Sequence, residues 1–303
     1  MKLGLMTAAF PALTLEEIAR WAAESGFGML EVACWPVGKK DRRYGGVSHI
    51  NVADLDKSKA REINALLADN GLAISSLAYY PNPLHPDQDH RDEVIGHLKQ
   101  EIDAAEVLAV DIVGSFAGAD QNKSAEQNLE EFARVWPPIV RYAGERGVKI
   151  AIENCPMLWP DTWPGGNNVA YSPAIWRRMF EIVPDDNFGL NYDPSHLIWL
   201  FIDEVRPIAE FKDRIFHVHA KDLEIDREML YQDGVLGCGF RWEIPRLPGL
   251  GEVRWDRLIA ALYAAGYDFV ISIEHEDRAF EGTEDLVKRG FYLSRDVLAP
   301  YIV

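Results

Sequence analysis

Four acidic or imidazole side chains lie at the ends of four apolar segments of the chain, a pattern that could create a metal site. They are Glu153 in VKIAIEN, Asp193 in GLNYDPSH, His219 in IFHVHAKD and Glu274 in VISIEHED. If the four segments lie side by side, these groups form a ring of charge that is costly without a counter-ion. A divalent cation neutralises such a ring, so we predict that the four residues bind one.

The donor types narrow the identity of that cation. Three carboxylates and one imidazole form a hard, oxygen-rich set, which suits Mn²⁺, Mg²⁺ or Co²⁺ better than it suits a thiolate-type zinc site. Zn²⁺ nevertheless accepts carboxylate and imidazole ligands as well. We therefore predict one divalent metal ion and take Mn²⁺ as the first choice.

Asp193 also has a purely structural interpretation. It is followed by Pro194, and Asp at the cap with Pro at the first helical position is an ordinary way to begin a helix. This stretch alone therefore leaves two alternatives, a helix cap and a member of an active site that includes His196.

The elements that must hold these residues follow a repeating strand and helix pattern. Apolar runs predict strands at 2–7, 28–33, 72–78, 111–116, 148–154, 188–193, 215–221 and 269–274. Amphipathic stretches between them predict helices, and the segments ESGF, DNGL, ERGV and AAGY each place a helix-ending glycine before the next strand. This order predicts an α/β fold, a (β/α)8 TIM barrel that forms a single domain over residues 1–303.

Three details of the helices and loops are also predicted. Thr14 and Glu17 have the spacing of a capping box, and Pro137 with Pro138 should kink or interrupt the helix that contains them. The connections at about 79–91 and 223–252 are long and follow strands at the end where barrel active sites lie. Because long structureless loops are usually functional, we predict that both border the active site.

Composition excludes several classes of function. Lysine and arginine number 31 against 48 aspartates and glutamates, and the resulting charge of −17 repels nucleic acids and anionic membranes. No apolar run approaches the roughly 20 residues of a membrane span, and the first residues favour a strand over a signal peptide. The three cysteines, without CxxC spacing, indicate a reduced setting, so we predict a cytoplasmic protein.

The motifs that carry these residues resemble those of the xylose isomerase-like TIM barrels. They are IAIENC, YDPSH, HVHAKD, PGLGEVRWDRLIAALYAAGY and ISIEHED. That superfamily includes sugar isomerases, ketose 3-epimerases, inosose dehydratases and endonuclease IV. The resemblance implies that Glu153, Asp193, His219 and Glu274 bind one divalent metal ion.

The resemblance also implies contacts with substrate. His196 resembles the D-P-x-H histidine that touches substrate oxygens, and Glu31 matches a strand 2 glutamate that shapes the pocket, with a buried ion pair as its alternative. Lys221 could contact substrate or form a salt bridge with a barrel carboxylate. We assign no chemistry to His217 or Cys155.

Other candidate substrate contacts lie at or after strand ends. Aromatic residues there could cover a sugar ring, and they include Phe10, Trp35, Tyr79, Tyr80, Phe116, Trp159, Trp163 and Trp242. Loop 223–252 adds Arg241 and Arg246. From this set we predict substrate contacts for Trp35, Arg241 and Trp242.

The ligand types favour proton transfer on a carbonyl substrate. A metal that grips a carbonyl and a neighbouring hydroxyl lowers the pKa of the intervening C–H and stabilises an enediolate. Glu153 and Glu274 could then remove and return the proton. This predicts an isomerase or epimerase. The alternative is a lyase, dehydratase or deglycosidase that acts on a keto-sugar or 3-ketoglycoside by β-elimination with the same base.

The substrate is predicted to be a neutral sugar, keto-sugar or cyclitol. The acidic segment EHEDRAFEGTED follows the last strand and would repel a phosphate. An endonuclease is disfavoured, because DLEIDREMLYQDGV and DIVGSFAGAD lack the histidines of its three-metal site. An inactive sugar-binding barrel is disfavoured by the intact ligands. Relatives are often dimers or tetramers, so we predict a homo-oligomer.

Overall fold

Eight parallel strands close into a barrel in the computed structural model, which describes residues 1–38, 44–158, 166–237 and 241–302. Parallel pairing of the first strand with the last closes the barrel, from Lys2 opposite Val270 to Leu5 opposite Ile273. The barrel strands are β1 Lys2–Met6, β2 Met29–Ala33, β3 Ala73–Ala78, β4 Ile112–Ser115, β5 Lys149–Glu153, β6 Phe188–Tyr192, β7 Ile215–Ala220 and β10 Val270–Ile273. The predicted TIM barrel is confirmed, and each predicted strand agrees to within one residue at each end.

Helices cover the outside of the barrel and follow the strands in the predicted alternation. The described helices are α1 Leu15–Glu24, α2 Lys57–Asp69, α3 Gln88–Leu108, α4 Ala125–Gly144, α5 Pro173–Ile182, α6 Ser195–Trp199, α7 Arg206–Glu210, α8 Arg227–Asp233, α9 Trp255–Ala264 and α10 Glu284–Leu298. None of the helices in the described ranges combines the length and apolar character that crossing a bilayer requires.

The glycines predicted to end helices do so. Gly26, Gly71, Gly147 and Gly266 follow α1, α2, α4 and α9 with φ of 81°, 69°, 70° and 82°. This left-handed conformation is strained for residues with a Cβ atom, which explains why the sequence places glycine at each of these turns.

The predicted capping box is confirmed, and the predicted interruption of a helix by two prolines is wrong. The capping box of Thr14 and Glu17 is present at the start of α1. The expected interruption at Pro137 and Pro138 is wrong, because α4 continues through both residues. The face of α4 around them is buried, and the indole of Trp136 donates a hydrogen bond of 2.8 Å to the carbonyl oxygen of Ala117. Tertiary packing therefore outweighs the helix-breaking tendency of the two prolines.

The two long connections contain more regular structure than predicted. The first ends early, because Asp87 caps α3 through the backbone N–H of His90. Residues 223–252 are not a structureless loop, since the described part contains α8 and an antiparallel hairpin of β8 Asp222–Ile225 and β9 Glu243–Arg246. The charged residues and Pro245 in these short strands conceal them in the sequence.

This hairpin has a small apolar core separate from that of the barrel. Trp199 of α6 packs there with Leu223, Ile225 and Trp242, and all four side chains are buried. Asp222 fixes the base of the hairpin. Its carboxylate accepts hydrogen bonds of 2.9 Å from the backbone N–H groups of Gly249 and Val253 and from the indole of Trp255.

Candidate metal and substrate site

The four predicted metal ligands meet at the carboxyl ends of the strands. Glu153 ends β5, His219 is the fifth residue of β7, and Asp193 and Glu274 directly follow β6 and β10. One nitrogen or oxygen atom from each residue lies within 4.8 Å of the other three, and all four residues are buried. The barrel topology thus collects donors that are up to 121 residues apart in the chain (from 153 to 274).

Two atoms in this cluster favour a cation. Asp193 Oδ2 and His219 Nδ1 are buried and make no hydrogen bond to any described residue. The nearest carboxylate oxygens of Glu153 and Glu274 lie 3.6 and 3.4 Å from His219 Nδ1. The ammonium group of Lys221, 3.2 Å from Asp193 Oδ2, offsets part of the cost of burying that oxygen, and a divalent ion would bond to both atoms. The residues present therefore fit a single hard or borderline metal ion.

Asp193 is not the N-cap of α6, because Pro194 occupies that position, but its carboxylate supports the start of the helix and also faces the cluster. Its Oδ1 accepts a 2.8 Å hydrogen bond from the backbone N–H of Ser195, the first residue of α6. Its Oδ2 faces the cluster. One carboxylate therefore fixes the start of a short helix and leaves its second oxygen directed at the candidate metal position.

Glu31 orients His219 from beneath the cluster. The Nε2 of His219 lies 2.9 and 3.1 Å from the two carboxylate oxygens of Glu31, which also accept hydrogen bonds from Tyr80 and Ser272. Glu31 is fully buried and lies off the cavity lining, so its position corresponds to the buried ion pair rather than to a substrate contact. A proton on Nε2 directs the lone pair of Nδ1 toward the cluster.

His217 is a core histidine whose two ring nitrogens both have polar partners. Its Nδ1 lies 3.0 Å from Asn191 Oδ1, and its Nε2 lies 3.1 Å from Ser75 Oγ. Burial lowers the pKa of His217 to about 4, so the ring is neutral at physiological pH. We assign it no part in the chemistry.

Lys221 lies among the carboxylates of the cluster. Its Nζ is 2.6 Å from Glu274 Oε2, 3.2 Å from Asp193 Oδ2 and 3.9 Å from Glu153 Oε1. Glu276, which the sequence analysis missed, accepts a further hydrogen bond of 3.1 Å from it. Burial lowers the pKa of Lys221, but these carboxylates outweigh that effect and raise it well above the usual value.

Both candidate acid–base residues are ionised at neutral pH. Burial raises the pKa of Glu274, but the charges of Lys221 and His219 outweigh it and bring the value down to about 2. Burial also raises the pKa of Glu153, but a hydrogen bond from His196 and the positive charges of His219 and Lys221 outweigh it and hold the pKa below the ordinary range. Each carboxylate can therefore accept a proton.

His196 borders the cluster from α6. Its Nε2 lies 3.2 Å from Glu153 Oε1 and 3.3 Å from Asp193 Oδ2, and its Nδ1 accepts a 3.4 Å hydrogen bond from the indole of Trp199. The imidazole is buried beside two of the candidate ligands. It is close enough to bind an oxygen of a substrate held at the cluster.

A cavity of about 200 Å³ opens beside these residues. Glu153, Lys221, Glu274 and Glu276 supply polar lining, and aromatic rings supply much of the rest. The aromatic lining consists of Trp35, Tyr44, Tyr80 and Phe116. An aromatic surface next to convergent polar groups is typical of a site for a polyhydroxylated molecule.

Several predicted contacts lie elsewhere. Arg241 forms a surface ion pair with Asp233 at 2.7 Å, and its side chain is 60% exposed. Trp242 is buried in the hairpin core, and Arg246 pairs with Glu224 at 2.6 Å. These ion pairs and this packing involve residues of the hairpin and of α8, and they keep the three side chains off the cavity lining. Trp159, Trp163 and Cys238 lie outside the described residues.

Of two residues that the sequence-based prediction missed, Glu276 and Asp222, only Glu276 had a signal in the sequence. Glu276 follows Glu274 at the two-residue spacing of one strand face, in the segment EHED. Asp222 follows Lys221 directly, but its role as a loop anchor depends on three donors 27 to 33 residues further along the chain. No local pattern reveals such an anchor.

Comparison with protein families gives a match over most of the chain. A family model described as "Xylose isomerase-like TIM barrel" matches residues 19–296. The uncharacterized protein YfiH of Bacillus subtilis strain 168 is 26% identical over an alignment that covers 91% of this chain and 93% of YfiH.

Solved structures with the same fold cover nearly all of the chain. IolI, crystallised with a bound zinc atom, has a TM-score of 0.72 at 18% identity, covering 100% of this chain and 99% of IolI. AsbF of Bacillus anthracis, a probable 3-DHS dehydratase, gives 0.72 and 18%, with 99% of both chains covered. An L-ribulose 3-epimerase gives 0.70 and 16%, covering 99% and 94%. At these identities the likeness establishes the fold.

Proposed function

The chain belongs to the xylose isomerase-like TIM-barrel family, and on that premise we propose that it is a divalent-metal-dependent isomerase or epimerase. Its proposed substrate is a neutral sugar, keto-sugar or cyclitol. Proteins of similar fold include an epimerase and a probable dehydratase, so an enzymatic function is the common element.

One observation carries this proposal. Donor atoms of Glu153, Asp193, His219 and Glu274 converge within 4.8 Å beside a cavity, and two of those atoms are buried without hydrogen-bond partners. We propose these four residues as ligands of a single ion, with Mn²⁺ first and Mg²⁺, Co²⁺ or Zn²⁺ as alternatives. The zinc atom in IolI supports the proposal only to the extent that a protein of similar fold binds a divalent metal.

When bound, the ion would polarise a substrate carbonyl and acidify the neighbouring C–H. The chain's own residues then supply the proton transfer. Glu153 and Glu274 line the cavity, and both are charged at neutral pH, so either can remove the proton. We propose that one carboxylate takes the proton from the carbon next to the carbonyl. A proton is then returned either to the opposite face of that carbon, by the other glutamate in its protonated form, which inverts the centre, or to the former carbonyl carbon, while the hydroxyl proton moves to the other oxygen, which relocates the carbonyl.

Three other residues would position the substrate. His196, beside Glu153 and Asp193, is proposed to bind a substrate oxygen. Lys221 lines the cavity and can neutralise a developing oxyanion, while the ring of Trp35 covers an apolar face of the sugar. Glu31 acts through His219 rather than on substrate.

The charges around the cavity favour a neutral substrate. Glu153, Glu274 and Glu276 line it together with the single cationic side chain of Lys221, counting described lining residues only. With a divalent ion bound, these three carboxylates, Lys221 and the ion would sum to about zero charge, so the lining offers no surplus positive charge to bind a phosphate. The net charge of −17 acts in the same direction at longer range.

Solvent isotope exchange tests the proposal. The purified chain, loaded with Mn²⁺, is incubated with ketoses, keto-sugars and inososes in D₂O, and recovered sugars are examined by NMR and mass spectrometry. We expect deuterium at the carbon next to the carbonyl and an isomer or epimer as product. Glu153→Gln and Glu274→Gln should each reduce exchange by about 10²–10⁴-fold. Glu16→Gln, an exposed charge on α1, is the matched control.

The outcomes separate the alternatives. Wild-type exchange in both variants, with metal still bound, would exclude the acid–base assignment. An unsaturated product or a released aglycone would instead identify a lyase that uses the same base for β-elimination. Absence of a stoichiometric metal after loading would overturn the metal-dependent proposal altogether.

A further inference from the structure

The ammonium group of Lys221 lies among the oxygen atoms that would hold a metal ion. Its Nζ is within 3.9 Å of one carboxylate oxygen from each of Glu153, Asp193 and Glu274, the three acidic members of the candidate ligand set. The side chain is 4% exposed, so bulk water contributes little to stabilising its charge. Lys221 therefore already supplies positive charge to this ring of carboxylates.

A divalent ion and this ammonium group require the same space. Metal–oxygen bonds to carboxylates are about 2.0–2.2 Å long for Zn²⁺ and Mg²⁺. The Lys221 Nζ to Glu274 Oε2 distance of 2.6 Å and the Asp193 Oδ2 distance of 3.2 Å leave no room for an ion between these atoms. Like charges at such separation also repel strongly where solvent is excluded. Binding of the ion therefore requires Nζ to move.

The structure contains an acceptor for the displaced group. Glu276 Oε2 lies 3.1 Å from Nζ, is outside the four candidate ligands and belongs to a side chain that is 25% exposed. The flexible four-carbon stem of lysine allows Nζ to leave the ligand oxygens while keeping this contact. In that position the ammonium still faces the cavity, because Lys221 and Glu276 both line it.

We propose that Lys221 is an internal competitor for the metal site, and that Glu276 sets the balance by retaining the ammonium group when a divalent ion takes the ligand oxygens. The competition has two consequences. Lys221 stabilises the carboxylate cluster of the metal-free chain, and it weakens metal binding by the free energy needed to displace it. This inference rests on the proposed metal site.

Metal affinity of Lys221→Met is the direct test. Full-length chain treated with a chelator is titrated with Mn²⁺ and with Zn²⁺ by calorimetry and by competition with a chromophoric chelator. We expect Lys221→Met to bind both ions about tenfold or more tightly than wild type, and its metal-free form to melt at a lower temperature. Lys149→Met removes the same charge at the opposite end of β5 and should bind metal as wild type does.

Glu276→Gln tests the proposed role of Glu276 as the acceptor of the ammonium group. It can be measured even if Lys221→Met does not fold. Without its alternative acceptor, Lys221 stays on the ligand oxygens, so metal affinity should fall. Loss of a nearby negative charge would also lower affinity, and the double variant Lys221→Met with Glu276→Gln separates the two causes. We expect Glu276→Gln to weaken binding much less when Lys221 is absent.

Each of the other outcomes would overturn one part of the proposal. If Lys221→Met binds both ions no more tightly than wild type does, Lys221 is not a competitor, although the metal site stands. An equal effect of Glu276→Gln with and without Lys221 removes the role of Glu276 as acceptor. Failure of wild type and of every variant to bind either ion overturns the proposed metal site, and this inference with it.

Discussion

At the scale of single residues, the candidate site includes a carboxylate, Glu31, that lies off the cavity lining. Glu31 holds the Nε2 of His219 and is itself fixed by Tyr80 and Ser272 in the closed interior of the barrel. A buried carboxylate in this position selects the tautomer and the ring orientation of the histidine. If the site binds a metal ion as proposed, its affinity should depend on this residue one layer below it.

Substitution of Glu31 tests this dependence. Glu31→Gln should lower Mn²⁺ affinity by about 10–100-fold, because a neutral amide no longer fixes the Nε2 proton of His219. Tyr80→Phe is the matched control, since it removes one hydrogen bond from Glu31 but keeps the carboxylate. Competition with a chromophoric chelator measures both. Unchanged affinity in Glu31→Gln would show that His219 needs no such support.

A second buried glutamate affects stability rather than chemistry. Both carboxylate oxygens of Glu101 in α3 are buried and lack a hydrogen-bond partner among the described residues. Burial raises the pKa of Glu101 well above the ordinary 4.5, and the negative charge of Glu31 raises it further. The unfolded chain releases this proton at lower pH than the folded chain, so stability is lost as the pH rises from about 4.5 through the folded-state pKa.

We therefore predict that Glu101→Met stabilises the protein more at pH 8 than at pH 5. The gain at pH 8 should be about 1–3 kcal/mol, the usual cost of a buried polar group without a partner. Urea unfolding at the two pH values measures it, with Glu106→Met on the exposed face of α3 as control. Equal gains at both pH values would contradict a raised pKa.

Prediction from sequence succeeded for residues whose surroundings are set by strand ends. The positions of Glu153, Asp193, His219 and Glu274 follow from the barrel, because parallel strands bring their carboxyl ends to one edge. Arg241 and Trp242 could not be placed in the same way. Their surroundings depend on the pairing of Arg241 with Asp233 and on the packing of Trp242 in the hairpin, and neither contact has a sequence period.

At the scale of elements, the hairpin of β8 and β9 is the main addition to the plain barrel. Continuous apolar runs predicted the barrel strands, because parallel strands are covered on both faces. The hairpin strands are short, charged and interrupted by Pro245, so they escaped the same analysis. The prolines of α4 predicted a break that the structure does not have, because packing of the buried face stabilises the continuous helix.

The anchor at Asp222 gives a prediction for this element. Asp222→Ala would leave the backbone N–H groups of Gly249 and Val253 and the indole of Trp255 without their acceptor. We expect a loss of about 3 kcal/mol or more of local stability. Hydrogen exchange followed by mass spectrometry should show faster exchange in residues 247–255 while the barrel strands keep their protection.

Asp226→Ala provides the comparison for that experiment. Asp226 caps α8 through the backbone N–H groups of Glu228 and Met229, so its loss should affect α8 by about 1 kcal/mol and leave 247–255 unchanged. If Asp222→Ala leaves exchange in 247–255 as slow as in wild type, the carboxylate is not the anchor of that segment.

At the scale of the whole molecule, the strong negative charge and the acidic cavity act together. A chain with a net charge of −17 attracts cations from solution and repels anions. The four candidate ligands come from β5, β6, β7 and β10, so an ion held by all of them links half of the closed barrel. Metal binding should therefore stabilise the fold as a whole.

Thermal unfolding tests this linkage. Mn²⁺ at about 100 times its Kd should add about 2.7 kcal/mol to the free energy of unfolding and raise Tm. Asp193→Asn removes one ligand charge but keeps an oxygen that can accept the hydrogen bond from the Ser195 N–H. Mn²⁺ should therefore raise the Tm of this variant much less than that of wild type. An equal rise in both proteins would place the ion elsewhere.

The hairpin core of Trp199, Leu223, Ile225 and Trp242 has a practical consequence for redesign. Because this core is separate from that of the barrel, the segment can be exchanged for a different one between two fixed attachment points, Asp222 and the stretch that it anchors. Such a graft would leave the barrel strands that carry the proposed acid–base residues unchanged. The segment is thus a candidate for replacement on an unchanged barrel.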